Sequence, residues 1–196
     1  WDLASKRAVL PQKSILAFPF TVEEVVHIGL RNGIGAQTTK IIYDALSSVG
    51  LSAYAQRQYA ELSGGEQQRV QLARVLAQVW TPYEMGQARW IFLDEPVSSL
   101  DIAHQIEVIN IAREYARSGG GVIAIMHDLN LTSMVADKIA ILHQGKTLCQ
   151  GVPKDVMTDN WLSHAYECDL RVNTSPKTPA TYILPHLANT HKKKVN

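Results

Sequence analysis

Cysteine is almost absent: Cys149 and Cys168 are the two in 196 residues. That is too few for a disulfide framework and fits a reducing compartment. No run approaches the roughly 18 consecutive apolar residues of a membrane-spanning helix, and no signal peptide opens the chain. The chain is therefore expected neither to span a membrane nor to be exported, with the cytoplasm as its place. An excess of one charge is also lacking. The 19 Lys and Arg against 18 Asp and Glu give +1. Lys192, Lys193 and Lys194 supply three of the positives, so the rest of the chain is slightly acidic. A clustered basic field, which nucleic-acid binding would require, is missing. Internal repeats and low-complexity stretches are missing as well. A chain that begins at Trp1 without methionine is expected to be processed or incomplete.

The composition, 46% apolar and 19% charged, suffices for one sizeable core and makes a single globular domain the expectation. Trp1 to Gln12 reads as a strand edge turning into a loop at Leu10-Pro11-Gln12, after which Ile15, Leu16, Phe18 and Phe20 surround Pro19. Thr21-Val22-Glu23-Glu24 has capping-box spacing, which predicts a helix from Thr21 with Val22, Val25, Val26 and Leu30 inward. Gly33 and Gly35 should break it. A second helix from about Thr38 places Ile41, Ile42, Ala45, Leu46 and Val49 on one face before Gly50 ends it. Residues 21–60 are thus expected to form a small all-helical unit. Ser63-Gly64-Gly65-Glu66 repeats the capping-box spacing. Val70, Leu72, Ala73, Val75, Leu76, Ala77 and Val79 make the helix that follows apolar on more than one side.

Trp90 to Leu93 and Val122 to Met126 are short apolar runs that read as fully buried strands, tipped by Asp94-Glu95-Pro96 and by His127. Between them Asp101 should cap a helix to about Arg117, with Ile102, Ile106, Ile109 and Ala112 as its core stripe and Gly119 to Gly121 as its stop. A short helix over Leu129 to Ala136 precedes a strand over Lys138 to Leu142. A turn at Gln144-Gly145 then leads into a strand at Thr147 to Cys149. This alternation is that of an α/β layered fold. From Val152 onward, short helices near Lys154 to Met157 and Trp161 to Glu167 and two weak strands near Leu170 and Tyr182 are expected, with nothing catalytic.

Open α/β sheets bind ligands beyond the carboxyl ends of their strands, where Asp94, Glu95 and His127 are expected. Of two adjacent carboxylates, one can serve a Mg²⁺ ion and the other a reacting water in phosphoryl transfer. On these residues alone, a turn-capping Asp94 and a solvated Glu95 remain open. Ser63-Gly64-Gly65-Glu66 opens a helix whose free N–H groups can take an anion, with Ser63 adding a hydroxyl donor. Taken by itself, this segment is better read as an ordinary helix cap. Gln12 and His127 are uninformative when taken singly.

Their order changes this. Leu62-Ser63-Gly64-Gly65-Glu66-Gln67-Gln68-Arg69-Val70 resembles the signature motif of ATP-binding-cassette ATPases, and Ile91-Phe92-Leu93-Asp94-Glu95-Pro96 their Walker B strand. Ser98-Ser99-Leu100-Asp101 is similar to the D-loop, His127-Asp128 to the H-loop, and Gln12 in Val9-Leu10-Pro11-Gln12 to the Q-loop. Together these motifs run from about Val9 to Gly151. The resemblance implies a P-loop NTPase-type layered sheet with an inserted all-helical subdomain. Residues 13–80 would be that subdomain with its Q-loop junction, 88–151 the catalytic core strands and 152–196 a C-terminal extension. It also implies ATP and Mg²⁺ as cofactors. Asp94 would hold Mg²⁺ through water, Glu95 would act on the attacking water, and His127 would contact the γ-phosphate. Gln12 would sense metal and γ-phosphate and relay this to a membrane partner. Ser63, Gly64, Gly65 and Glu66 would close over ATP held by an opposing subunit, which Asp101 would contact. Val97 departs from the Thr usual after the Pro. The family's phosphate loop, Gly-x-x-x-x-Gly-Lys followed by Ser or Thr, does not occur in residues 1–196. By resemblance, these residues expressed alone are expected to aggregate or remain poorly folded, with no measurable ATPase activity and no thermal stabilisation by Mg-ATP.

Three classes compete: a transporter ATPase, a soluble repair or translation ATPase, and a noncatalytic fragment. The interval from Gln12 to Ser63 is too short for the long coiled coils of repair ATPases, and Tyr54 to Glu61 lacks the Gly-Glu-rich element of exporters. An importer subunit is favoured. Phe18-Pro19-Phe20-Thr21-Val22-Glu23-Glu24-Val25-Val26 and His127-Asp128-Leu129-Asn130 resemble the importer group serving vitamin B12, ferric siderophores and haem. Arg74 to Trp80, with the extra loop through Gln87, is most similar to haem-importer ATPases, with siderophore or vitamin B12 import as the alternative. The resemblance implies a homodimer of ATPase subunits, two transmembrane permease subunits and, indirectly, a periplasmic haem-binding protein, with no nucleic acid. The place implied is the cytoplasmic face of the inner membrane. Ile15, Phe18 and Phe20 are expected to receive the permease.

Overall fold

The computed structural model describes residues 6–12, 18–30, 36–175 and 181–185. The expected breaks at Gly33 and Gly35, and Ile15 in the expected permease groove, lie outside them. The chain forms two compact units, residues 1–126 and 127–196.

In the first unit, strand β1 (Arg7–Leu10) leads to helices α1 (Val22–Ile28), α2 (Ala36–Ser48) and α3 (Gly64–Gln78). A small hairpin of β2 (Tyr83–Glu84) and β3 (Gln87–Ala88) precedes β4 (Trp90–Asp94), α4 (Ile102–Arg117) and β5 (Gly121–Ile125). The parallel sheet has the order β1-β4-β5, with Leu10 opposite Leu93 and Asp94 opposite Ile125. Both predicted capping boxes form: Thr21 and Glu24 start α1, Ser63 and Glu66 start α3. Helix α3 buries Val70, Gln71, Leu72, Ala73, Val75, Leu76 and Ala77, so it is enclosed on more than one side as its composition required. A buried polar chain runs through this helical part. Gln71 Nε2 donates to Tyr59 Oη at 3.1 Å, and Arg74 Nε donates to Gln71 Oε1 at 2.7 Å.

The strands are less enclosed than their apolar runs suggest. Ala8, Leu10, Ile91 and Leu93 are buried on one face, whereas Trp90, Ile123 and Ile125 on the other are 42%, 49% and 58% exposed. A continuous apolar run shows only that both faces suit burial; whether each is covered is decided by packing. The core stripe of α4 also differs. Ile102 is exposed at the first turn, while Ile106, Val108, Ile109 and Tyr115 are buried. Tyr115 joins the core because its hydroxyl donates to Val79 O at 3.1 Å and Arg89 O at 3.4 Å.

In the second unit, α5 (Leu129–Val135) is capped by Asp128 and precedes an antiparallel hairpin of β6 (Ile139–His143) and β7 (Lys146–Gly151). The turn residues Gln144 and Gly145 both have left-handed φ, +48° and +75°, as a two-residue hairpin demands. Helices α6 (Pro153–Val156) and α7 (Asp159–Tyr166) follow, and Leu131, Val156 and Leu162 are buried. The strands expected near Leu170 and Tyr182 do not form. The Leu170 N–H donates to Ser163 Oγ at 2.9 Å and the Val172 N–H to Asp159 Oδ1 at 2.7 Å. Side chains of α7 have taken the donors a ladder would use; Tyr182 is exposed.

Candidate functional site

The site builds from the carboxyl ends of β1 and β4. Because the two strands are parallel and in register, Gln12, two residues beyond Leu10, and Asp94, the last residue of β4, follow neighbouring strand ends. Gln12 is exposed and Asp94 half-buried. Glu95, also half-buried, has φ +48°, a left-handed conformation uncommon for a residue with a Cβ. Its N–H donates to Ile125 O at 3.1 Å, extending the sheet one residue past the strand. Its carbonyl receives the Ser98 N–H at 3.3 Å, Ser98 Oγ at 3.2 Å and Gln68 Nε2 at 3.1 Å. Pro96 and Val97 are buried after it. The apolar Val97 suits that position because it brings no hydroxyl needing a partner.

The second part is the start of α3. The Ser63 N–H and hydroxyl both donate to Glu66 Oε2 at 2.8 Å, and the Glu66 N–H donates to Ser63 Oγ at 3.3 Å. The Ser63 N–H first, then its hydroxyl, hold the Glu66 carboxyl below its ordinary value. The turn before the helix is pinned by Gln67 Nε2, which donates to Tyr59 O and Leu62 O, both at 3.2 Å. Helix geometry leaves the first amides, those of Gly64 and Gly65, without intrahelical acceptors. A Cβ on Gly64 would meet nothing within 4 Å, so anions can approach the backbone there. A Cβ on Gly65 would lie 3.2 Å from both Leu100 Cδ2 and Ser99 O, so this glycine packs the helix start against the loop before α4.

That loop ends at Asp101, which caps α4. Asp101 Oδ1 accepts the His104 N–H at 3.0 Å, and Oδ2 lies 2.8 Å from His104 Nδ1. The backbone bond leads in holding the Asp101 carboxyl below its ordinary value. Gln105 Nε2 donates to Leu100 O at 3.0 Å and Val97 O at 3.3 Å, fixing the loop from the helix side. His127 opens the second unit, exposed, immediately before the α5 cap Asp128. Within the first unit, then, the structure joins Ser63 to Glu66, packs Gly65 against the Ser99 carbonyl and the Leu100 side chain, and pairs β1, the strand that leads to Gln12, with β4. Sequence reasoning passed over Gln68 and Gln105. Their side chains act on carbonyls that no spacing rule links to them.

The sequence pattern of the ABC transporter family matches residues 1–98. The chain is 64% identical over 188 residues to the hemin import ATP-binding protein HmuV of Jannaschia sp. (strain CCS1), covering 96% of this chain and 70% of that protein. The chain belongs to the ABC transporter family. The protein of the same name from Roseobacter denitrificans is 61% identical over 189 residues, covering 96% of this chain and 72% of its own. The ADP conformation of MJ1267, an ATP-binding cassette of an ABC transporter, superposes with a TM-score of 0.68 at 19% identity, covering 84% of this chain and 69% of that one. The α/β P-loop NTPase fold expected from the motifs is therefore the fold present. Membership of the ABC family carries ATP binding and hydrolysis as its chemistry.

Proposed function

We propose that this chain is the ATP-hydrolysing subunit of an importer whose cargo is haem, in the form of hemin. The observation that carries the reading is the 64% identity, over 96% of the chain, to a hemin import ATP-binding protein. Among the described residues no helix is long and apolar enough to cross a membrane. By likeness to hemin import ATP-binding proteins, the subunit acts at the cytoplasmic face of the inner membrane, as a homodimer beneath two permease subunits that receive hemin from a periplasmic binding protein. Residues 13–80 serve as the helical subdomain, 88–151 as the catalytic core strands and 152–196 as a C-terminal extension. Phe18, 71% exposed, meets Phe20 edge to face with ring centroids 6.0 Å apart, and the pair offers the permease an apolar contact.

The residues fit Mg²⁺. Among the described residues no group of three or more His, Cys, Asp or Glu could cage a metal. Mg²⁺ needs only one or two carboxylates with waters and phosphate oxygens, which Asp94 and Gln12 suit as oxygen donors. When bound with ATP, Mg²⁺ supplies charge neutralisation at the phosphates. Glu95 orients the attacking water and accepts its proton, and His127 contacts the γ-phosphate. Ser63, Gly64 and Gly65 present their donors to the nucleotide of the opposing subunit. Glu66 holds that loop in shape, and Asp101 faces the partner.

Reconstitution of the assembled transporter in proteoliposomes tests the reading. Hemin-loaded binding protein should raise the ATPase rate and drive hemin uptake, and Glu95→Gln should make hydrolysis far slower, though still measurable, while ATP still binds. Stimulation by a ferric siderophore or cobalamin and not by hemin would overturn the cargo. Wild-type turnover in Glu95→Gln would overturn the role of Glu95.

A further inference from the structure

Three donors converge on the Glu95 carbonyl, and two of them belong to Ser98 in its own turn. The third, Gln68 Nε2 at 3.1 Å, comes from helix α3, 27 positions away in the chain. Glu95 needs holding. Its φ of +48° lies in the left-handed region, where a residue with a Cβ persists only when its surroundings fix it. The residue's two backbone anchors come from different elements: its N–H is tied to Ile125 O on β5, and its C=O to Gln68 on α3. Together they fix the orientation of the peptide planes on either side of Cα, and so the direction in which the Glu95 carboxylate leaves the backbone.

The other end of the Gln68 side chain shows what this amide is for. Gln68 Oε1 is buried and has no hydrogen-bond partner. The orientation cannot be reversed, because reversal would set the amide oxygen against the Glu95 carbonyl oxygen. An amide that leaves its own acceptor unsatisfied is a poor choice for stability alone, since an apolar side chain of the same shape would leave no orphan on that residue. The donor is the part that matters.

We infer that Gln68 is a positioning residue for ATP hydrolysis: by donating to the Glu95 carbonyl it holds the left-handed Glu95 backbone and aims the carboxylate at the attacking water. The inference rests on the reading of Glu95 given above. A misplacement of about 1 Å at a reacting group can lower a rate about a hundredfold, so the effect belongs on turnover and not on ATP affinity.

Gln68→Met keeps length and removes both the donor and the orphaned oxygen. In the assembled transporter it should lower kcat by about tenfold to a hundredfold, leave KM for ATP within about twofold, and keep or raise the melting temperature. Gln68→His, which retains an N–H of similar reach, should recover part of kcat. On the Glu95→Gln background, Gln68→Met should cause no further loss, because the residue acts through Glu95. Unchanged kcat in Gln68→Met, or its full loss repeated on the Glu95→Gln background, would overturn the inference. If Gln68→Met does not fold, Gln68→Glu is read in the same assays. Failure of both to fold would make the contact structural and overturn it too. Wild-type turnover in Glu95→Gln removes the reading of Glu95 and this inference together. A far slower Glu95→Gln beside a fully active Gln68→Met removes this inference alone.

Discussion

Gly29 ends α1 where that helix crosses α3, and replacing it with alanine opposes two effects of known sign. Its backbone is ordinary right-handed helix, φ −68° and ψ −24°. Alanine fits that conformation and, by restricting the unfolded chain, should stabilise by about 0.4–1 kcal/mol. Against this, the added Cβ would stand 2.2 Å from Arg74 O and 3.1 Å from both Arg74 C and Cγ. The nearest obstacle is backbone, so no rotamer change relieves it. Helix α3 cannot simply withdraw. Arg74 Nε is bonded to Gln71 Oε1 at 2.7 Å and Nη2 to Val9 O at 3.4 Å, and Val22, Val25, Val26, Val70 and Val75 around the crossing are fully buried. Forced overpacking of this kind costs about 1–3 kcal/mol, which exceeds the entropic gain. We expect Gly29→Ala to destabilise by about 1–2 kcal/mol net and, for a chain of this size, to lower the melting temperature by about 2–8 °C. Urea titration and thermal circular dichroism would measure it. An unchanged or raised melting temperature would show that the helices separate freely and that the close approach is not a constraint.

Two further predictions concern titrating and hydrogen-bonding side chains. Tyr115→Phe should destabilise by about 1–2 kcal/mol, because it removes the donor from the buried Val79 carbonyl. Burial pushes the Tyr115 hydroxyl up to about 12 from 10.0. Its contribution is therefore complete below pH 10 and lost as pH rises through about 12, and melts across that range should show an alkaline decline that Tyr115→Phe makes shallower. On the acid side, Glu24, Glu66 and Asp101 are held below their ordinary values of 4.5, 4.5 and 3.8 by cap hydrogen bonds. Their stabilisation is present above those values and lost as pH falls through the lower folded ones. The double variant Glu24→Gln, Glu66→Gln should thus flatten the acid decline in melting temperature; an identical decline would remove the caps as its cause.

What could be read in the sequence was what is decided within a few residues. Thr21 with Glu24 and Ser63 with Glu66 satisfy each other across three positions, so the helix starts follow from the letters. Gln144-Gly145 needs only two left-handed residues to set its hairpin. The candidate site was found through the order of its motifs, and only as resemblance. What escaped was decided by distant partners. The exposure of Ile123 and Ile125, the capture of the Leu170 and Val172 amides by α7, and the close approach of Gly29 to Arg74 O all depend on tertiary packing. Periodicity records which faces are fit to be buried and is silent on what arrives to bury them.

Helix α3 explains why residues so far apart in the chain form one arrangement. At its C-terminal half Gln78 and Arg74 reach the carbonyls of Arg7 and Val9, on the strand that leads to Gln12. At its start Gly65 lies against Ser99 and Leu100, and Gln68 bonds the Glu95 carbonyl. Gly65 and Gln68 are three residues apart and share a helix face, so one face meets both the loop before Asp101 and the turn after Asp94. Gly64, with open space around it, presents its backbone elsewhere. Close-packed interiors shift as bodies and transmit displacement instead of absorbing it. In the dimer proposed above, an anion drawing on the Ser63 end of this helix would move the Gln68 donor with it, and the Glu95 backbone with the donor. Closure over one nucleotide would then be felt at the carboxylate proposed to orient water at the other, through a single helix.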